Sequence, residues 1–156
     1  MNRTLGPVPT WAKVTTFVLS LIGLALATYL TITHFEPQDL FCTTGGFINC
    51  GVVTTSGESR LLGVPVAFLG LGTYLVMTVL NSPWGWRAKN YWLHVARFVI
   101  AIVSMCFVLW LIYAELIIID NICLYCTGVH VVTFALLIVL TRVSPAQLGW
   151  VKSRTQ

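Results

Sequence analysis

Four long runs of uncharged, mostly apolar residues dominate this sequence. The first lies between Lys13 and His34 and contains about 20 residues, which is enough for one helix to cross a bilayer. Further runs follow Leu61, Arg97 and Asp120. We therefore predict an all-α membrane protein, a bundle of four transmembrane helices at residues 14–33, 64–81, 93–118 and 122–141.

The composition supports this class. Hydrophobic residues make up 57% of the 156 residues and charged residues only 9%, and a soluble domain of this length has too few charges to cover so much apolar surface. We expect one integral membrane domain over residues 1–156, with a long outer loop at residues 34–63. A capping box at Thr55-Ser-Gly-Glu58 predicts that this loop carries a short helix starting there.

The distribution of charge predicts the orientation. Lysine and arginine near helix ends mark the cytoplasmic side, whereas all five acidic residues fall on the opposite side together with Arg60. Both termini are therefore expected in the cytoplasm, and residues 34–63 and 116–122 outside. The basic residues on the inner side are Arg3, Lys13, Arg87, Lys89, Arg97, Arg142, Lys152 and Arg154, and five tryptophans are expected at the same interface: Trp11, Trp84, Trp86, Trp92 and Trp150.

The first apolar run has a second interpretation, a cleaved signal peptide. Ala25-Leu26-Ala27 resembles a signal-peptidase site after a basic segment. The run continues to Ile32, which favours a retained helix, and both alternatives place the next loop outside.

The five cysteines divide by position. Cys106 lies in the middle of the third helix and is expected to be a free, buried thiol that acts as a small hydrophobic residue. The other four form two pairs on the outer side, Cys42 with Cys50 and Cys123 with Cys126. Because thiols outside the cytoplasm are oxidised, both pairs are candidate disulfides.

The Cys42/Cys50 pair could be a structural staple of the loop or a mobile redox pair. The intervening segment includes Gly45-Gly46, and glycine gives such a loop the mobility that electron shuttling requires. Spacing alone leaves both possibilities open.

The Cys123/Cys126 pair favours redox chemistry over a staple. Three residues apart on a helix, the two side chains share one face about 5–6 Å apart, but a disulfide there closes almost no loop and stabilises little. With Asp120 or Asn121 as the N-cap, Cys123 lies at the water boundary in the first turn, where the helix dipole favours thiolate. Cys126 lies one turn deeper, as expected of a thiol that passes electrons to a membrane-soluble acceptor.

Zinc is the alternative chemistry for these thiols. Only the second pair has the spacing of a zinc knuckle, and a tetrathiolate site outside the cell would have to keep its thiols reduced. No metal site is therefore expected.

Two further polar residues are candidate site residues. His130 lies four residues after Cys126 on the same helix face, and an ionisable residue inside a membrane helix is a functional candidate. It could donate a hydrogen bond or a proton to a quinone carbonyl, or it could be satisfied by a neighbouring helix. Ser56 could point into the redox site, although the spacing favours a helix cap.

Together these features resemble the vitamin K epoxide reductase family, specifically a prokaryotic member, over nearly the whole chain. The shared features are the four helices and the ordered motifs Cys42-x7-Cys50, Ser56, Gly63-Val-Pro65 and Cys123-x-x-Cys126. The DsbB family also has four helices and two cysteine pairs, but its Cys-x-x-Cys lies in the first outer loop.

The resemblance implies a four-helix bundle that encloses a quinone and is capped by the first loop. Cys123 and Cys126 match the pair beside the quinone, Cys42 and Cys50 match the shuttle pair, and Ser56 matches a serine near the site. The implied enzyme is a quinone-dependent thiol oxidoreductase that drives disulfide formation outside the cytoplasm. Electrons would pass from the shuttle pair to the second pair and then to menaquinone or ubiquinone.

The implied setting is the cytoplasmic (inner) membrane of a bacterium, with a multi-pass chain whose active site faces outward. Many bacterial relatives carry a fused thioredoxin-like domain, and we expect this chain to be a member without one. We therefore expect a separate thioredoxin-like or DsbA-like partner. The membrane supplies lipid and quinone, and no nucleic acid partner is expected.

Two departures from the animal enzymes favour plain quinone reduction over epoxide reduction. Those enzymes carry an asparagine in helix two and a tyrosine after the Cys-x-x-Cys, where this chain has an apolar residue near Val66 and His130. The alternative function is a non-catalytic membrane protein with two structural disulfides.

Overall fold

A computed structural model describes residues 5–35, 42, 48–61 and 63–151, and this part of the chain is mostly helical. Two short strands pair antiparallel, β1 (Arg60–Leu61) with β2 (Val64–Pro65). A 3-10 turn lies at Gly57–Ser59, and a π-helical turn lies at Ala114–Ile118. The α-helices, in chain order, are α1 (Thr10–Phe35), α2 (Cys50–Thr55), α3 (Val66–Asn81), α4 (Pro83–Arg87), α5 (Tyr91–Tyr113) and α6 (Leu124–Gln147).

Among the described residues, three helices are long and apolar enough to cross a membrane: Thr10–Phe35, Tyr91–Ile118 and Leu124–Gln147. Helix α3 is also apolar but has 16 residues. Its length is about 24 Å, against a hydrocarbon thickness of about 30 Å. The structure is compatible with the predicted all-α membrane bundle. A fourth span, if the bundle has one, is formed by α3.

All four predicted helix starts differ from the structure by two to four residues, and α5 begins at Tyr91 rather than at residue 93. The second helix begins at Val66 rather than at residue 64, because Val64 and Pro65 pair with β1 across a turn at Gly63. The φ of Gly63 is +85°, a conformation that glycine adopts without strain. The first helix begins at Thr10 rather than at residue 14, since lysine is a good helix former and Lys13 does not interrupt it.

The predicted caps of the fourth helix, Asp120 and Asn121, are wrong. Asp120 has a left-handed backbone with a φ of 52°, and the Asn121 side chain donates to the Ile119 carbonyl at 3.0 Å. Both residues therefore belong to the turn before the helix. Cys123 is the N-cap instead, and α6 continues beyond its predicted end at residue 141.

The short loop helix lies one turn before its predicted position. Helix α2 starts at Cys50, and the Asn49 side chain caps it by accepting a hydrogen bond from the Val52 N–H at 3.2 Å. Thr55 is the last residue of α2, so its prediction as the start of the helix is wrong. The side chain of Glu58, the other half of the predicted capping box, lies outside the described part of the chain.

Helix α1 packs against both α3 and α6, and α5 packs against α6. Gly23 allows a close approach of α1 to Tyr74 of α3, because a Cβ at Gly23 would lie 1.9 Å from the tyrosine Cε1. The Tyr74 hydroxyl lies 2.8 Å from Thr133 Oγ1 and 3.2 Å from the Val129 carbonyl oxygen of α6. One buried tyrosine thus connects three helices.

A buried polar network occupies the predicted cytoplasmic end of the bundle. Arg97 is only 1% exposed and lies 3.6 Å above the Trp86 ring. Its guanidinium also contacts His94 Nδ1 at 3.1 Å and donates to the Leu80 carbonyl. Trp86 is therefore a packing partner inside the bundle rather than the interfacial residue that we predicted, whereas the other four predicted belt tryptophans are exposed.

Candidate active site

The backbone brings the two cysteine pairs together. Ile48 and Ile122 form a parallel bridge, and the Asn49 N–H donates to the Ile122 carbonyl at 3.2 Å. Cys50 follows as the first residue of α2, and Cys123 follows as the N-cap of α6. Both cysteines are fully buried and lie in one apolar cluster. The two pairs that the sequence placed at the same membrane face therefore form one site.

The loop cysteines Cys42 and Cys50 form a disulfide with their Cα atoms 6.1 Å apart. Cys42 is half-buried against the cluster that holds Cys50, so Cys42 is the more accessible residue of the pair. The predicted mobile segment Gly45-Gly46 lies outside the described residues. Cys106 is a free thiol, as predicted, but it is exposed on α5 rather than buried.

Cys123 and Cys126 are free thiols that interact across the first turn of α6. The Cys123 sulfur accepts a hydrogen bond from the Cys126 backbone N–H at 3.3 Å. A second hydrogen bond, from the Cys126 thiol, lowers the pKa of Cys123 below its ordinary value, although burial opposes the shift. The arrangement favours a thiolate at Cys123 when the pair is reduced.

Cys123 does not face the water boundary, where the sequence placed it. It is fully buried and packs with Cys50 and Val53 of α2, so its prediction as the outward-facing cysteine is wrong. Zinc was the alternative chemistry for these thiols. Within the described ranges, no group of three or more His, Cys, Asp or Glu side chains is placed to hold a metal ion.

A cavity of about 490 Å³ lies among α3, α5 and α6 beside Cys126. It borders α5 from Val99 to Leu111, a length of roughly 18 Å at 1.5 Å per residue, and its walls are mostly apolar. Cys126 lines this cavity, whereas Cys123 and Cys50 do not. The volume lies within the range of small-molecule sites, about 300–1,000 Å³. Such a space suits a ligand with a polar head beside Cys126 and an apolar chain along α5.

His130 lines the same cavity one helical turn beyond Cys126 and is 7% exposed. None of the described residues hydrogen-bonds to its imidazole. The alternative prediction, in which a neighbouring helix supplies a hydrogen-bond partner for His130, is therefore not met within this part of the chain. Tyr74 and Thr133, which hydrogen-bond to each other, lie in the same wall. The His130 side chain is therefore available to a bound ligand.

Ser56 lies in the cavity wall at the end of α2. Its hydroxyl donates to the Val53 carbonyl at 2.8 Å and makes no capping hydrogen bond to the turn at Gly57–Ser59. The prediction of Ser56 as a side-chain cap is therefore wrong, and Ser56 is one of the residues that line the cavity. Val66, the apolar residue singled out in the second helix, also lines the cavity.

Glu115 is a site residue that the sequence did not reveal. It lies in the π-helical turn Ala114–Ile118 and is 7% exposed. Its carboxyl lies within hydrogen-bonding reach of the Cys123 backbone N–H and of the Cys126 thiol. The only sequence signal is an acid that interrupts an apolar run, and an ordinary helix boundary gives the same signal.

The profile of the vitamin K epoxide reductase family matches residues 14–141. The match covers most of the chain, begins in α1 and ends in α6. It contains both cysteine pairs together with Ser56 and His130. The family expected from the order of the motifs is therefore confirmed.

Proposed function

The chain belongs to the vitamin K epoxide reductase family, and we propose that it is a quinone-dependent thiol oxidoreductase that reoxidises a separate thioredoxin-like protein. The placement of the cysteines carries the proposal. Cys126 lines an apolar cavity, while Cys123 packs against Cys50 of the loop disulfide. Electrons therefore have a continuous route from the protein surface to the cavity.

The route begins at Cys42. A reduced partner must attack a sulfur that it can reach, and Cys42 is half-buried whereas Cys50 is fully buried. Attack at Cys42 forms a mixed disulfide with the partner and releases Cys50 as a thiolate. The second thiol of the partner then displaces Cys42, and the partner leaves as a disulfide.

The next exchange runs between the two pairs. When Cys123 and Cys126 form a disulfide, Cys50 attacks Cys123 and releases Cys126. Cys42 then attacks Cys50, which restores the loop disulfide and leaves Cys123 as a thiolate, the form that its lowered pKa favours.

At the cavity, Cys123 and Cys126 lose two electrons as their disulfide forms again. A quinone supplies an acceptor for two electrons and two protons, and the apolar walls suit the chain of menaquinone or ubiquinone. His130 is placed to hold the polar head by donating a hydrogen bond or a proton. Val66 in the wall supports plain quinone reduction, because the animal enzymes carry an asparagine in that helix.

We place the site at the outer face of a bacterial inner membrane, with four spans and both termini in the cytoplasm. The charge distribution supports this orientation. Exposed Arg87 and Lys89 follow the end of α3 that lies away from the cysteines, as expected of residues on the inner side. Helix α3 supplies the fourth span in this arrangement.

Replacing Cys42 by alanine tests the division of roles between the pairs. The variant should lose turnover with a reduced thioredoxin-like protein but keep quinone reduction by a small dithiol, because a small thiol does not need the loop cysteine as its docking point. Cys106→Ser is the matched control and should keep both activities, since Cys106 is exposed on α5. Equal loss with both substrates in Cys42→Ala would contradict the proposed entry point.

A further inference from the structure

We propose that Glu115 is a catalytic base of this site, whose carboxylate takes the proton of the Cys126 thiol and passes it to the cavity as the Cys123–Cys126 disulfide forms. This inference rests on the proposed function and assigns a proton step within it. Three independent features of the structure lead to it: the contacts of the carboxyl, the backbone that holds it and its burial.

The interactions of Glu115 place its carboxyl beside a reacting atom. Its carboxyl reaches the Cys126 thiol and the Cys123 backbone N–H, and its side chain lines the cavity beside Cys126. The single proton of the Cys126 thiol thus has two acceptors, the Cys123 sulfur and the Glu115 carboxyl. The Cys126 thiol can therefore hydrogen-bond to the Cys123 sulfur or transfer its proton to the Glu115 carboxyl, and in both cases the proton stays in the site.

The backbone holds the carboxyl in this position. Helix α5 ends in a π-helical turn, a geometry that is frequent at functional sites. The Asn121 N–H donates to the Glu115 carbonyl at 3.1 Å, which connects this turn to the segment that leads to Cys123. The acid and the cysteine pair are therefore parts of one hydrogen-bonded unit.

The burial of Glu115 costs free energy, so its position calls for a functional explanation. A carboxylate in an apolar site needs a partner, and nothing in the described part of the chain supplies a cation beside it. An ionisable residue in a membrane-spanning segment is a functional candidate for this reason. Transfer of a proton from Cys126 to Glu115 moves one negative charge over a short distance. Release of the same proton to water would instead leave two negative charges in the apolar site, one on Glu115 and one on Cys126.

The step balances in atoms and charge. Cys126 gives its proton to the Glu115 carboxylate and becomes a thiolate. As the sulfur–sulfur bond with Cys123 forms, the two sulfurs give up two electrons. The electrons pass to the quinone with two protons. One is the Cys126 proton, delivered by the Glu115 carboxyl, and the other comes from water through His130, because Cys123 enters the step as a thiolate. The Glu115 carboxylate is regenerated.

The other titratable groups near Glu115 come from four elements. Cys123 and Cys126 at the start of α6 contact it directly. Cys50 of α2 is held in the loop disulfide. His34 of α1, Tyr74 of α3 and His130 of α6 share the cavity with it. Any pH profile of the site has to be compared between variants because these groups titrate in the same space.

Glu115→Gln tests the inference on Cys126 itself, without quinone. Glutamine keeps the size of the side chain and an acceptor for the Cys123 N–H, but it cannot take a proton. With all cysteines reduced, the rate at which iodoacetamide alkylates Cys126 is measured by peptide mass spectrometry as the pH is varied. In the parental protein, we expect this rate to be flat where Glu115 is ionised, because the proton is transferred internally, and to fall on the acid side.

In Glu115→Gln the alkylation rate should instead rise about tenfold per pH unit, as for a thiol that must lose its proton to solvent. Quinone reduction by this variant should fall at least about tenfold at neutral pH and recover as the pH is raised. Asp120→Asn is the matched control. It removes the same charge from a nearby exposed position and should leave both measurements unchanged.

Parallel alkylation profiles for the parental protein and Glu115→Gln would overturn the inference. Glu115→Gln is used only if it folds, as judged by retention of the Cys42–Cys50 disulfide in the air-oxidised protein. If it does not fold, the alkylation profile of Glu115→Asp is the test. This variant keeps a carboxylate and should retain the flat region at a lower rate, and a profile that rises throughout would overturn the role of Glu115. A parental protein that keeps the flat profile but reduces no quinone would instead refute the proposed function alone.

Discussion

Gly23 sets the distance between α1 and α3, and its replacement by alanine should destabilise the bundle. A Cβ at this position would lie 1.9 Å from Cε1 of Tyr74 and 2.3 Å from Cδ1 and Cζ, whereas carbon atoms pack at about 3.5–4.0 Å. The tyrosine ring or the whole of α1 therefore has to shift by roughly 2 Å. Either movement disturbs the cavity, because Tyr74 lines it.

The size of the effect follows from these contacts. Overpacking a core costs about 1–3 kcal/mol. If the Tyr74 ring turns away, its hydroxyl also loses Thr133 and the Val129 carbonyl, at about 1 kcal/mol each. We expect the free energy of unfolding to fall by about 3–5 kcal/mol, which corresponds to a decrease of roughly 6–20 °C in Tm for a protein of this size.

Thermal unfolding in a fixed detergent measures this decrease, with Gly72→Ala as the matched control. Gly72 also lies inside a helix, but a Cβ there meets nothing within 4 Å. Alanine at Gly72 should keep or raise the Tm, since it favours a helix over glycine by up to about 1 kcal/mol. A Gly23→Ala variant with the parental Tm would refute the close packing of α1 on Tyr74.

The remaining predictions concern His130. His130→Ala should leave the cysteine pairs exchangeable but slow quinone reduction at least about tenfold, because a positioned proton donor is lost. His130→Tyr restores a donor and should recover part of the rate. Val131→Ala, at the neighbouring exposed position of α6, is the control and should reduce quinone at the parental rate. A parental rate in His130→Ala would mean that the histidine only packs.

The sequence predicted the long helices well, because a chain with so few charges can bury its backbone polar groups in a membrane only as helices. It also predicted two cysteine pairs that the structure brings together in one cluster. These conclusions depend on the length of apolar runs and on charge, and both are local properties. The motif order around Cys42 and Cys126 then identified the family correctly.

The details of the site could not be predicted, because they depend on contacts between distant segments. The pairing of Ile48 with Ile122 is what places Cys50 against Cys123, and no local pattern encodes it. The capping role of Cys123 was missed because Asp120 is a better cap by type. Glu115 was missed for a related reason, since a π-helical turn rather than the charge pattern directs it inward.

The central claim is that Cys123 and Cys126 pass electrons to a quinone, and thiol trapping tests it most directly. Membranes from quinone-depleted and quinone-replete cells are treated with a thiol-reactive mass tag, and the redox state of each cysteine is determined. If the protein is the proposed enzyme, Cys123 and Cys126 should accumulate as thiols when quinone is removed and return to the disulfide when it is restored. Unchanged disulfides in both pairs would contradict the account and support a non-catalytic membrane protein with two structural disulfides.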